Sequence, residues 1–369
     1  MDPPRQYARF RHESPITRIS LGSGAPDAWL VTRWEDARTV LAHSATSTDM
    51  SRPAFPTRSH VAMPPGFFLF QDDPVHDVFR KVLTREFMVK KIEALRAPTL
   101  EILDGVLQRM VSVGSPADFV EHVALPLPSL VISELLGVPY ADHEFFQHHS
   151  RVLIEGTVTG EQKASAQQAL SDYLEDLVVR RLREPQDDLI TRLGRQLSTR
   201  DAADVGSFLL FAGHETTANM IGLGVLAMLQ HPEQLPLLLE NPVGAIEELL
   251  RYLTIAQSGL GRVATSDIPV GGVTIREGEG VIVMLNSANR DEAVFPDADV
   301  LDLARPNARQ HVAFGYGIHQ CLGQPLARME LQVVLPEVFR RLPALRVAGS
   351  VTYKHTAAAY GPARMPVEW

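Results

Sequence analysis

The run Phe314-Gly315-Tyr316-Gly317-Ile318-His319-Gln320-Cys321-Leu322-Gly323 sets the only cysteine of the chain among three glycines, just before a helical pattern. Glycines permit tight turns and a close approach of backbone to a ligand. Unpaired N–H groups at a helix N-terminus stabilise a thiolate placed beside them. The combination is an anionic sulfur in a glycine-lined loop, suited to ligate a metal already held by a flat macrocycle. Taken by itself, a lone cysteine in a turn is more often a buried structural residue. One cysteine allows no intramolecular disulfide and no Cys-rich zinc site, and a reducing compartment fits.

A chain of 369 residues has material for a large core, burying about 75% of its unfolded surface. Its 45% hydrophobic and 21% charged residues exclude a disordered chain or a fibre. A net charge of −9 and a pI near 5.8 argue against bulk nucleic acid or an acidic membrane surface as partner. The start, Met1-Asp2-Pro3-Pro4-Arg5, lacks the basic and apolar regions of a signal peptide. No apolar run approaches the ~18 residues of a membrane span. A soluble, cytoplasmic protein is expected.

The periodicity predicts mainly helix with a minor β region late in the chain. Trp29–Thr32 reads as a strand and Glu35–Ala42 as a helix. Residues 51–66 are a Pro/Ser/Thr-rich loop. Helical spacing runs from Asp77 to about Ser150, and again from Glu161 to Leu193. The longest helix spans Ser198–Gln230, with Ser198 or Thr199 as cap, Asp201 reaching back, and His231-Pro232 as stop. A helix over Pro242–Leu253 precedes short strands at 268–270, 273–275 and 281–283. Residues 287–318 carry little pattern, and a last helix starts near Cys321 or Leu322 and ends near Arg341.

Two loose dinucleotide fingerprints, at Gly222-x-Gly224 and Gly259-x-Gly261, fail because neither joins a strand to a helix N-terminus. His214-Glu215-Thr216-Thr217-Ala218 begins like a zinc-protease motif, but Ala218 stands where the second ligand belongs. What remains in the long helix is Phe211-Ala212-Gly213-His214-Glu215-Thr216-Thr217. Glycine inside a helix costs roughly 1 kcal/mol relative to alanine. Threonine hydroxyls can bond back to carbonyls and bend the helix there. In Glu247-Glu248-Leu249-Leu250-Arg251, Glu248 and Arg251 are i, i+3 neighbours. In isolation such a pair reads as a solvated surface contact worth under about 1 kcal/mol.

Together these runs resemble the cytochrome P450 superfamily, in its soluble bacterial class. The haem loop FGxGxHxCxG is met by Phe314, Gly315, Gly317, His319, Cys321 and Gly323. The oxygen-activation motif is met by Ala212, Gly213, Glu215, Thr216 and Thr217, and ExxR by Glu248 and Arg251. The resemblance runs from about Trp29 to the end of the chain. It implies one domain over 1–369, with haem between the long central helix and the Cys-ligand loop.

By the same resemblance, Cys321 is the ligand to the iron of haem b (iron protoporphyrin IX). Asp72-Asp73-Pro74-Val75-His76-Asp77-Val78-Phe79-Arg80 resembles DPPxHxxxR. Asp73 stands where a first proline is usual, a departure that touches the turn and not the two basic residues. His76, Arg80, Arg262 and His319 match the groups that neutralise the haem propionates. Arg305 matches the arginine completing a structural triad with Glu248 and Arg251. No chemistry is assigned to His311 or His214.

The implied reaction inserts one oxygen atom from O2 into a small organic substrate, with Glu215 relaying protons and the Thr216 hydroxyl assisting at the distal face. Electrons would come from a separate ferredoxin and its reductase. Substrate contacts are implied for 51–71, 150–165, the residues before Gly213, Thr254–Leu260, and Thr356–Pro362, where no dedicated charged anchor is seen. Of the 35 basic residues 30 are arginine, which suggests a high-GC bacterium and secondary metabolism. Two other readings share the motifs. One is a non-oxygenating haem-thiolate enzyme, for oxidative aromatic coupling or nitric-oxide reduction. Fungal nitric-oxide reductases lack an acid at the position of Glu215. The other is a non-catalytic haem-binding protein, against which intact Cys321, Glu215 and Thr216 argue.

Overall fold

The computed structural model describes residues 3–22, 24–57, 60–154, 158–354 and 359–369. Contacts divide the chain into two compact units. The first comprises Met1–Pro64, Phe68–Asp77 and Pro236–Gln324. Its five-stranded sheet runs in the spatial order Ile16–Ile19, Ala28–Val31, Gly280–Val283, Leu260–Ala264 and Thr46–Ser47. Ala28–Val31 pairs in parallel with Gly280–Val283, and the other pairs are antiparallel. Val31, Val281 and Val283 point into an apolar cluster with Val40 and Leu41 of the helix Trp34–Ala42. The hairpin of Ile268–Val270 and Val273–Ile275 closes over this cluster.

The second unit comprises Pro65–Phe67, Val78–Leu235 and Pro325–Trp369. Its axis is the helix Thr199–Gln230, buried along most of its length against Pro126–Leu136 and Gly160–Arg183. Ser198 caps it, its hydroxyl accepting from the Asp201 N–H at 3.1 Å. Asp201 does reach back, but its carboxylate takes the Ser198 hydroxyl proton rather than the backbone N–H. Gly222 and Gly224, which mimic a nucleotide fingerprint, serve packing. A Cβ on them would lie 2.7 Å from Pro362 and from Leu335.

Three expectations change. The helical stretch 161–193 is two helices, Gly160–Arg183 and Leu189–Gly194, because Pro185 breaks the ladder and Asp188 caps the restart. The stretch from Asp77 to Ser150 is likewise divided, by turns, a short strand and a π-helical turn at Val120–Ala124. The last helix begins at Gln324, not at Cys321 or Leu322. Pro325 favours a first-turn position, since it lacks an N–H to pair. Residues 58–59, 155–157 and 356–358, within three of the segments read as substrate contacts, lie outside the described residues. No helix among the described residues is long and apolar enough to cross a membrane.

Candidate functional site

In the first unit, the Cys321 N–H donates to the Phe314 carbonyl at 2.9 Å and closes the glycine loop. Gly315 and Gly317 lie at φ 70° and 78°, where L side chains are strained. Gly317 has a second reason to be glycine: a Cβ there would run into the carbonyl oxygen of Leu41. The loop holds Cys321 exposed, in the turn before the last helix. It is not the buried structural thiol that a lone cysteine usually is. Among the described residues no cluster of His, Cys, Asp or Glu could hold a free metal ion.

Arg262, on the strand Leu260–Ala264, is only 6% exposed. Its Nη1 donates to the Gly261 carbonyl at 2.7 Å. Its Nε is buried with no hydrogen-bond partner among the described residues. Burial pulls its pKa down to about 10, against the opposing field of Asp72. This is a desolvated cation short of an anion, and it fits a carboxylate-bearing ligand. His76 and His319 are both buried, with ring centroids 4.2 Å apart. Asp73 approaches His76, Oδ1 to Nδ1, at 3.3 Å. The replacement of proline by Asp73 therefore does touch one of the basic residues, because the turn directs its carboxylate back at the helix Val75–Thr84. Arg80 follows His76 one turn later on that helix, partly buried.

In the second unit, the central helix is buried on both sides of a stretch, 211–213 and 215–216, that is not buried, with His214 buried between them. Thr216 lies in this stretch, and its Oγ1 donates back to the Ala212 carbonyl at 2.8 Å. Glu215 accepts at Oε1 from Lys354 Nζ at 3.0 Å. The same Nζ donates to Asn219 Oδ1 at 2.8 Å, and Asn219 Nδ2 donates to the Ala359 carbonyl at 3.0 Å. Sequence reasoning missed Lys354 and Asn219. The one available signal was that Lys354 is one of five lysines in an arginine-rich chain. His214 is buried with Nε2 at 3.0 Å from the Leu125 carbonyl, a packing role.

Glu248 and Arg251 are fully buried, and Arg305 Nε donates to Glu248 Oε1 at 3.1 Å, forming the expected triad. His311 is held at 3.1 Å from Glu247. The structure thus brings His76 to His319, and Glu215 to Lys354. It sets Arg262 and Cys321 in the first unit and Thr216 in the second.

The family model described as Cytochrome P450 matches residues 243–345. Cytochrome P450-SU2 of Streptomyces griseolus is 46% identical over 381 residues, covering 100% of this chain and 94% of the relative. The chain belongs to the cytochrome P450 family. Pentalenic acid synthase of Streptomyces avermitilis is 45% identical over 385 residues, covering 100% and 94%. The crystal structure of cytochrome P450 MoxA from Nonomuraea recticatena superposes with a TM-score of 0.93 at 44% identity, covering 100% and 95%. The mainly helical architecture with minor sheets is the P450 fold, and the protein is a monooxygenase of the oxidoreductase class. Membership brings a haem-iron cofactor, an organic substrate and O2. The Arg262 Nε, buried without a hydrogen-bond partner among the described residues, and the exposed position of Cys321 fit that cofactor.

Proposed function

We propose that this monooxygenase carries haem b, with Cys321 as the only protein ligand to iron and His76, Arg80, Arg262 and His319 at the two propionates. The observation that carries this reading is the buried Arg262 guanidinium with an unpartnered Nε. When bound, the haem supplies activation of O2 and transfer of one oxygen atom to an unactivated C–H or a double bond. The protein's part is orientation, charge and proton supply. Cys321, whose backbone N–H closes the loop on the Phe314 carbonyl in an exposed position, would supply the anionic ligand. Glu215 and the Thr216 hydroxyl lie one residue apart in the stretch of the central helix that is not buried, which supports a role in moving protons there.

The two units are read as parts of one domain over 1–369. Relatives named Pentalenic acid synthase, Nocardicin C N-oxygenase and Vitamin D3 dihydroxylase support oxygenation, and actinobacterial secondary metabolism fits this chain. They carry no support for aromatic coupling, nitric-oxide reduction or an inert haem protein. A cytoplasmic enzyme drawing electrons from a ferredoxin and its reductase completes the reading.

The test is a reduced carbon monoxide difference spectrum of wild type and Cys321→Ser. The wild type is expected to give the red-shifted Soret band of thiolate ligation. Retention of that band in the variant would sink the assignment.

A further inference from the structure

We infer that Lys354 is a positioning residue for Glu215: it occupies one carboxylate oxygen, Oε1, and leaves Oε2 to carry the proton. The inference rests on the proposed relay role of Glu215. Both side chains are largely buried, at 16% and 14% exposure, and Nζ and Oε1 are 3.0 Å apart. Among the described residues Lys354 is the only side chain that hydrogen-bonds or ion-pairs with Glu215. Oε2 takes no hydrogen bond there.

The position of Lys354 is itself fixed. Its backbone N–H donates to the Gly361 carbonyl at 3.1 Å, next to the pairing of Thr352–Tyr353 with Pro362–Arg364. Its ammonium spends a second donor on Asn219, one helical turn beyond Glu215. Asn219 in turn holds the Ala359 carbonyl, and Gly361 packs so closely on the Asn219 side chain that no Cβ would fit. Hairpin and helix are therefore locked at the acid, and Glu215 cannot rotate freely about its side-chain bonds.

A carboxylate that relays protons must present the same oxygen to each transfer. A charge-assisted hydrogen bond from an ammonium to one oxygen fixes the orientation of the other. His214, on the same helix, directs Nε2 to the Leu125 carbonyl. Tyr353 and Tyr360 of the hairpin stack on each other at 5.5 Å, and burial raises Tyr360. Neither tyrosine hydrogen-bonds to Glu215.

The test has two arms on the holoenzyme. The chain has five lysines, so lysine labelled with carbon-13 at the ε position gives five signals. In the diamagnetic ferrous carbonyl form, the signal lost in Lys354→Arg is assigned to Lys354. It should change its chemical shift in Glu215→Gln, which removes the carboxylate partner, while the other four signals stay in place. A Lys354 signal that Glu215→Gln leaves unmoved overturns the proposal.

The second arm uses NADH and O2 with a surrogate ferredoxin and reductase, without organic substrate. Hydrogen peroxide released per NADH is compared among variants at one pH. Lys354→Met should change the yield in the same direction as Glu215→Gln, and Lys354→Arg should keep it near the wild-type value. If Glu215→Gln changes the yield while Lys354→Met leaves it at the wild-type value, the positioning role falls and the relay stands. If Glu215→Gln leaves the yield unchanged, the relay falls and takes the positioning role with it.

Discussion

Arg251 grips both oxygens of the Glu248 carboxylate, Nε to Oε2 at 2.7 Å and Nη2 to Oε1 at 2.8 Å, with neither side chain exposed. The remaining donors of Arg251 go to the carbonyls of Asn289, Ala298 and Val300. Arg305 and the Asp302 N–H add to the same carboxylate. Glu248→Ala would strand a buried guanidinium. A loss of about 3–5 kcal/mol is expected, read as failed folding or a collapse in soluble, haem-loaded yield. A stable, fully loaded variant would refute the structural role.

Arg262→Leu should have effects of opposite sign on two measurements. Without haem, the variant no longer buries a guanidinium with an unpartnered Nε. Its apoprotein should melt no lower than the wild type. With haem, on the proposed assignment, a propionate loses one of its basic partners, and transfer of haem to excess apomyoglobin should accelerate at least ~10-fold, equivalent to about 1.4 kcal/mol. Equal haem retention by both proteins would remove Arg262 from the cofactor site.

Thr216→Ala removes a hydroxyl that now donates to the Ala212 carbonyl. Ground-state substrate binding should change little. Product formed per NAD(P)H consumed should fall, with the missing equivalents recovered as hydrogen peroxide, because proton positioning of this kind is worth roughly 10²–10⁴-fold in rate. Full coupling in the variant on a true substrate would show that the enzyme uses another proton route.

Glu330, in the last helix, is buried with no hydrogen-bond partner for Oε2 among the described residues, and desolvation raises its pKa well above the ordinary carboxylate value. The folded chain therefore keeps a proton that the unfolded chain releases above about pH 4.5. Stability falls as pH rises past that point, by about 1.4 kcal/mol per pH unit, until the raised folded-state pKa is passed. Glu330→Gln should remove this slope and melt higher than wild type at pH 7. Parallel pH–stability curves for the two proteins would show that Glu330 is not held protonated.

The sequence by itself determined the long helix and its Ser198 cap, the glycine loop around Cys321, and the family to which these motifs point. Each depends on chain-local geometry: a 3.6-residue period, a cap within one turn, or glycines that alone tolerate φ near 70–78°. Only the tertiary structure decided what those residues experience. By spacing alone Glu248 and Arg251 read as a surface pair; the family resemblance implied the triad with Arg305, and only the fold shows the Asn289 and Ala298 carbonyls closing around the guanidinium. Asp73 was read as clear of the basic residues until the turn brought it to His76. Lys354 and Glu215 stand 139 positions apart and meet only through the hairpin's packing on the central helix. Desolvation and long-range contact belong to the environment that the whole chain builds, and no local spacing encodes them.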